Sequence, residues 1–321
     1  LRGLYAIIPT PATPDASRID ATHTVDLAET ERLVEQLIAD GVHGLIALGT
    51  TGECATLTDA EYDAFAGTVL RTVAGRIPTF MGTTALGSHE IVRRMAFVRD
   101  HGADGVLLGL PMWQPMTVDM AVEHYRAMSE AFPTLAIMVY ANARAFRFNF
   151  TEPEFWARVA AAAPTVMSAK FSVAKVVATL REVTAGRVHF MPIDDEVTRF
   201  WNMDPHATTA CWATAASMGP QPSLALMTSI LAGDTATVSQ VSTDIAWASS
   251  PLAEMFASPE FASYNIQVEK IRINAAGYCN AGPVRPPYAS VPADVERSAI
   301  ECGTRWKSLC EKYASARPAA V

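Results

Sequence analysis

Residues 27–53 read LAETERLVEQLIADGVHGLIALGTTGE, and the fold follows from how that stretch divides. Leu33, Val34, Leu37 and Ile38 recur at helical spacing over Leu27 to Ala39, and Asp40-Gly41 stops the pattern. Gly44 to Leu48 is then a short, wholly apolar run that ends in Gly49-Thr50-Thr51-Gly52-Glu53. A strand apolar on both faces suits a parallel sheet wrapped by helices. The same unit repeats along the chain. Apolar runs occur at Leu4 to Ile8, Pro78 to Met81, Gly105 to Leu108, Leu135 to Val139, Val166 to Ala169, Val188 to Met191 and Thr208 to Trp212. Helical patterns fit Asp59 to Val73, Ser88 to His101 and Val118 to Ala131. The alternation predicts an α/β chain, a (β/α)8 TIM barrel, over residues 1–218 as the catalytic domain.

After Trp212 the strand signals cease. Gly219-Pro-Gln-Pro222 opens a helical pattern through Leu224 to Gly233, Thr235 to Ser249, Phe261 to Ala276 and Val291 to Ala314. Residues 219–321 are therefore read as a helical C-terminal extension. Gly282-Pro-Val-Arg-Pro-Pro287 reads as a structured turn between helices, and the Ala-Pro tail after Tyr313 as frayed.

The chain has 321 residues, is 50% hydrophobic and only 18% charged, which supplies a large core. No apolar stretch is long enough to span a bilayer, so no membrane association is expected. A net charge of −8 argues against a nucleic-acid surface and favours a small-molecule ligand. Cys54, Cys211, Cys279, Cys302 and Cys310 are odd in number and lack Cys-x-x-Cys spacing, which reads as reduced thiols in a cytoplasmic protein. Leu1 to Thr10 lacks the pattern of a secretory leader, and none is expected.

Barrel chemistry sits at the C-terminal ends of strands. Lys170 ends the run Pro164-Thr-Val-Met-Ser-Ala-Lys170. Held among Val166, Met167, Ala169 and Phe171, its amine would lose hydration of the charged form and become a neutral nucleophile able to attack a ketone. By itself such a lysine is more often a surface group with its head in water. The Gly49 to Glu53 turn offers two hydroxyls and exposed amides to a carboxylate, or is simply a structural turn. Leu110-Pro-Met-Trp113 puts an aromatic at the mouth, a substrate wall or plain packing. Tyr140-Ala-Asn142 puts a phenol and an amide two residues apart; the phenol shuttles a proton only with a partner such as a threonine hydroxyl or Lys170, and buried tyrosines are often structural. Asp194-Asp195-Glu196 tempts a metal assignment. Adjacent acids need not converge, however, and His189 and His206 lack ligand spacing, so a hydrogen-bonded strand end is expected and no metal.

The ordered set Gly49-Thr50-Thr51-Gly52-Glu53, Tyr140 and Lys170 resembles the pyruvate-dependent class I aldolases of the dihydrodipicolinate synthase and N-acetylneuraminate lyase superfamily over nearly the whole chain. The resemblance implies that Gly49, Thr50 and Thr51 hold a pyruvate carboxylate, that Lys170 forms an imine with the keto carbon, and that Tyr140 transfers protons. Two departures point away from aspartate semialdehyde as substrate. Met112-Trp113 stands where the synthases carry a paired tyrosine, and Tyr140-Ala-Asn-Ala-Arg-Ala-Phe146 replaces Asn-Val-Pro with a downstream arginine.

More specific runs resemble the hydratase-aldolases for trans-o-hydroxybenzylidenepyruvate and trans-2'-carboxybenzalpyruvate in bacterial naphthalene and phenanthrene breakdown. These are Ile8-Pro-Thr-Pro-Ala-Thr-Pro-Asp15, Gly52-Glu-Cys-Ala-Thr-Leu-Thr58, Pro111-Met-Trp113, Tyr140-Ala-Asn142 and Gly282-Pro-Val-Arg-Pro-Pro-Tyr288. That branch implies an aryl-substituted keto-acid substrate, with Trp113 and either Phe146 or Trp212 offering flat apolar surface to the ring and Asn142 orienting water. Asn280, and more weakly Arg285, would meet an ortho carboxylate if the Gly282 to Tyr288 turn reaches the mouth; this leans the reading to the 2'-carboxy substrate, although bracing the C-terminal helices is an equal role for both. No cofactor is called for, because the imine is itself the electron sink. A homotetramer is the family expectation. The rival readings are a sugar-acid aldolase, a dihydrodipicolinate synthase-like enzyme and a non-catalytic keto-acid sensor.

Overall fold

The computed structural model describes residues 1–314; the tail from residue 315 on, expected to be frayed, lies outside the described residues. Eight parallel strands follow the apolar runs to within one or two residues: β1 Gly3–Ile7, β2 Gly44–Ala47, β3 Thr79–Gly82, β4 Gly105–Leu108, β5 Ala136–Tyr140, β6 Val166–Lys170, β7 His189–Met191 and β8 Ala210–Ala213. Between them run α1 Leu27–Ala39, α2 Asp59–Val73, α3 Ser88–Asp100, α4 Val118–Ala131, α5 Ala143–Phe146, α6 Pro153–Ala162, α7 Ala174–Val183 and α8 Val197–Met203. Neighbours pair in the order β7-β6-β5-β4-β3-β2-β1-β8. The ring closes between β7 and β8 through the single Ile193–Trp212 bridge, where Trp212 N–H donates to Pro192 O and the Trp212 carbonyl accepts from Asp194 N–H.

The helices start and stop where side chains satisfy free backbone groups. Asp26 accepts from Glu29 N–H at the head of α1, and Thr58 and Glu61 cap α2 reciprocally. Leu33, Val34 and Leu37 of α1 are wholly buried against the sheet, each contributing about 1.5–3 kcal/mol relative to exposure. The second half of the barrel is packed by rings: Phe155, Trp156, Phe171 and Phe190 meet edge to face, with Trp156 and Phe190 centroids 4.7 Å apart.

Beyond β8 the regular elements are helical: α9 Gln221–Ala232, α10 Thr235–Ser249, α11 Ala253–Ala257, α12 Phe261–Ala276 and α13 Ala293–Ala314. Of these, α12 bears most directly on the strand ends. It buries Glu269, Lys270 and Arg272 together with Ile266, Val268 and Ile273, and Lys270 reaches the Glu53 carboxylate beyond β2. α12 thus lies at the C-terminal end of the barrel, whereas α9 packs on β1 and β8. The Gly282 turn is fitted to the body of the barrel as well: Gly282 has φ +70°, and a Cβ there would stand 2.2 Å from Ala12 O. All five cysteines are free, and among the described residues no helix is long and apolar enough to cross a membrane.

Candidate active site

Tyr140 and Lys170 are the last residues of β5 and β6 and pair directly in the ladder. Paired residues of adjacent parallel strands project to the same side of the sheet, so strand register alone brings phenol and amine together. Lys170 Nζ stands 5.1 Å from the centre of the Tyr140 ring and 3.2 Å from the centre of the Trp212 ring. Trp212 is fixed in turn by its indole N–H, which donates to Met191 O at 3.0 Å.

The Lys170 pKa falls from 10.5 to about 7, because burial penalises the ammonium more than the distant Glu269 carboxylate supports it. The source of that burial differs in part from the sequence expectation. Met167 is 59% exposed and has no partner on β5, because the ladder shifts register there and passes from Val166 to Ser168. Val166, Ala169 and Phe171 are buried as expected, and rings from β5 and β8 stand against the amine itself. Lys170 itself remains only partly covered.

The phenol sits in a short polar chain. Thr50 Oγ1 and Tyr140 OH are 2.8 Å apart, and Asn142 Nδ2 donates to the same phenol oxygen at 3.3 Å. Burial raises the Tyr140 pKa, with the Thr50 and Asn142 bonds opposing it, so the phenol is protonated at neutral pH. Asn142 also orders the loop after β5, where its Oδ1 accepts from Ala145 N–H and caps α5, fixing the orientation of its amide. Phe146, at the end of that helix, packs edge-on to Tyr140 at 5.4 Å and is 3% exposed. It braces the phenol and is not an open wall for an aryl ring.

The Gly49 to Glu53 turn lies beside the phenol. A Cβ at Gly49 would be 3.8 Å from Tyr140 OH, and Thr51 is buried. Glu53 does not face the amine. It is wholly buried, paired with Lys270 Nζ at 2.6 Å and with the Arg285 guanidinium.

That last contact corrects the reading of Arg285 as a substrate contact. Arg285 is 2% exposed, and its side chain donates to Glu53, Thr24 Oγ1, Thr24 O, Thr10 O and Pro11 O, which leaves no donor for an ortho carboxylate. Asn280 is exposed, with its backbone N–H on Glu29 Oε1 at 2.8 Å. Among the described residues no hydrogen bond joins it to Lys170, Tyr140 or Thr50. Trp113 lies in the loop after β4, held by Arg147 donating to its carbonyl and that of Met112, with 77% of its surface open. Within one chain it is a rim residue, not a wall.

Asp194 is a buried, hydrogen-bonded strand end, accepting from Ser223 Oγ at 2.5 Å. Burial raises the pKa of both Asp194 and Asp195. Among the described residues no group of three or more acidic, histidine or cysteine side chains could hold a metal ion. Lys270 and Glu269 were not singled out in the sequence. The available signal was Val268-Glu-Lys-Ile-Arg-Ile273, where charges interleave with aliphatics and leave no clean apolar stripe, as happens when ion pairs are buried on a helix.

Comparison with known proteins agrees with this geometry. The model of the dihydrodipicolinate synthetase family matches residues 6–300. The trans-o-hydroxybenzylidenepyruvate hydratase-aldolase of Pseudomonas aeruginosa is 41% identical over 320 residues, 98% of this chain and 95% of that protein. The trans-2'-carboxybenzalpyruvate hydratase-aldolase of Nocardioides sp. (strain KP7) is 36% identical over 317 residues, again 98% and 95%. A solved structure described as PhdJ bound to substrate intermediate superposes with a TM-score of 0.93 at 32% identity, covering 97% of each chain.

Proposed function

The chain belongs to the dihydrodipicolinate synthetase family, and on that premise we propose that it is a Schiff-base hydratase-aldolase, a carbon–carbon lyase. Its substrate is an aryl-substituted enone acid of the trans-o-hydroxybenzylidenepyruvate or trans-2'-carboxybenzalpyruvate type, cleaved to an aromatic aldehyde and pyruvate. The observation that carries the reading is the in-register pair Tyr140 and Lys170, with Thr50 hydrogen-bonded to the phenol.

The neutral Lys170 amine adds to the keto carbon and water leaves, giving an iminium conjugated with the carbon–carbon double bond. That iminium withdraws electrons from the aryl-bearing carbon, to which a water molecule adds, directed by Asn142 and Tyr140; the enamine so formed is protonated on the carbon next to the new carbinol, which restores the iminium. Removal of the new hydroxyl's proton breaks the bond to the neighbouring carbon. The electron pair moves onto the iminium nitrogen, the aldehyde departs, and an enamine of pyruvate remains on Lys170. Protonation of its carbon and hydrolysis free pyruvate and the amine, for a net consumption of one water. With its pKa raised, Tyr140 moves protons in concert with Thr50, one arriving as another leaves. Thr50, Thr51 and the amides next to Gly49 hold the carboxylate throughout.

Residues 1–218 are read as the catalytic barrel and 219–321 as an extension that braces it. The reading extends to a cytoplasmic homotetramer acting in aromatic-hydrocarbon catabolism, supported by the family expectation and the five free thiols. With Arg285 fully bonded elsewhere, the lean towards a 2'-carboxy ring rests on Asn280 alone, and both ortho substituents stand. Incubation with each enone acid, measuring pyruvate and aldehyde, tests the proposal. Equimolar products are expected from at least one; activity confined to polyhydroxylated keto acids would replace it with a sugar-acid aldolase.

A further inference from the structure

We infer that Lys270 and Arg285 are positioning residues for the carboxylate-binding turn: through Glu53 they hold Gly49 to Glu53 in the conformation that presents Thr50 and Thr51 to a keto acid. The inference rests on the Schiff-base reading of the site and names the part of the C-terminal extension that serves it.

The turn is folded on itself by Glu53 N–H donating to Thr50 O at 2.9 Å and Cys54 N–H to Gly49 O at 3.3 Å. Glu53 closes it in the left-handed region, φ 52°, which a non-glycine residue adopts only when its surroundings impose it. Two restraints reach the turn from outside. Thr10 Oγ1 donates to Gly52 O at 2.7 Å, and the Glu53 side chain is gripped by Arg285 and Lys270. Both lead to Arg285. Its backbone N–H donates to Glu53 Oε1 at 2.9 Å, its guanidinium pairs with Oε2, and the same guanidinium holds Thr10 O at 3.2 Å. Lys270 adds a second cation on Oε2 at 2.6 Å and is oriented by Pro283 O at 2.8 Å. Glu61, which accepts from Thr24 N–H and hydroxyl, lies one step away. Thr24 Oγ1 in turn accepts from Arg285 Nε–H at 2.7 Å, so Glu53 and Glu61 balance Lys270 and Arg285.

Apolar side chains of similar volume commonly stabilise a core as well as a buried ion pair does. What they lack is direction. The cluster of Glu53, Lys270 and Arg285 ties this turn to Thr10, Thr24 and Pro283, and so sets the orientation of the turn's hydroxyls and amides. Their removal should therefore weaken carboxylate capture without altering the amine's attack once pyruvate is bound.

The test is borohydride trapping of Lys170 across a pyruvate concentration series in the full-length enzyme, for wild type, Lys270→Met, Arg285→Lys and Thr10→Val, alongside thermal unfolding. Half-saturating pyruvate should rise roughly tenfold in the first two variants and less in Thr10→Val, while the trapping rate at saturation stays within about twofold. Should Arg285→Lys fail to fold, Lys270→Met and the uncharged Thr10→Val change carry the result. Folded variants with unchanged half-saturation overturn the inference and leave a brace for stability. A wild-type enzyme that is not trapped at all sinks the Schiff-base reading and this inference with it.

Discussion

Two desolvated lysines of this molecule meet opposite company. Lys270 is 1% exposed, with Glu53 at 2.6 Å and a carbonyl at 2.8 Å on its amine; Lys170 has ring faces around it and only the indirect pull of Glu269. Burial lowers both pKa values, to about 8 with Glu53 opposing and to about 7 respectively. The difference lies in bonding. The Lys270 ammonium is held between a carboxylate and a carbonyl, so it fixes geometry. Lys170 is desolvated without such a hold, which is the condition of a nucleophile.

Replacing each lysine by methionine separates the roles. Lys170→Met should lower turnover by on the order of 10⁴ or more with the melting temperature unchanged or raised, because an amine without a carboxylate partner is a cost to folding. Retained turnover would break the contrast. Tyr140→Phe keeps the ring against Phe146 and removes the proton path through Thr50; turnover should fall by about 10²–10⁴, checked by steady-state kinetics on the enone acid. Lys270→Met should instead cost about 1–3 kcal/mol of stability in denaturant unfolding, reduced from a full pair's loss because Arg285 still serves Glu53. A fall in turnover at saturating substrate as large as that of Lys170→Met would show that the two lysines share one job.

The pH dependence sharpens the same point. The folded Lys170 pKa of about 7 lies below its unfolded 10.5, so between those values the unfolded chain binds more protons and stability rises with pH. Imine formation should follow the neutral amine, with kcat/KM falling about tenfold per pH unit below about 7 and levelling above it. A pH-rate profile and unfolding titrations of wild type and Lys170→Met check both: the variant should lose this part of the stability dependence.

The barrel and the proposed reacting pair were legible in the sequence because their signals are local. Apolar runs mark strands, and the residues that close two of those runs are Tyr140 and Lys170. The Gly49 to Glu53 turn is likewise one contiguous motif. What the sequence hid is made by chain closure. Glu53 and Arg285 lie 232 positions apart, and no periodicity announces that a glutamate of the turn belongs to a cation of the extension. Trp212 reaches Lys170 because β7 and β8 close the ring, and Met167 is exposed where the β5–β6 ladder shifts register. Asn280 and Trp113 are loop residues, whose direction is set by neighbouring segments and not by their own spacing.

The most direct measurement is mass analysis of peptides after borohydride treatment of the enzyme with pyruvate. The expected result is the mass of a reduced pyruvate imine on the peptide containing Lys170 and none on that containing Lys270. An unmodified Lys170 peptide under saturating pyruvate, or an adduct on Lys270, would contradict the role given to each lysine.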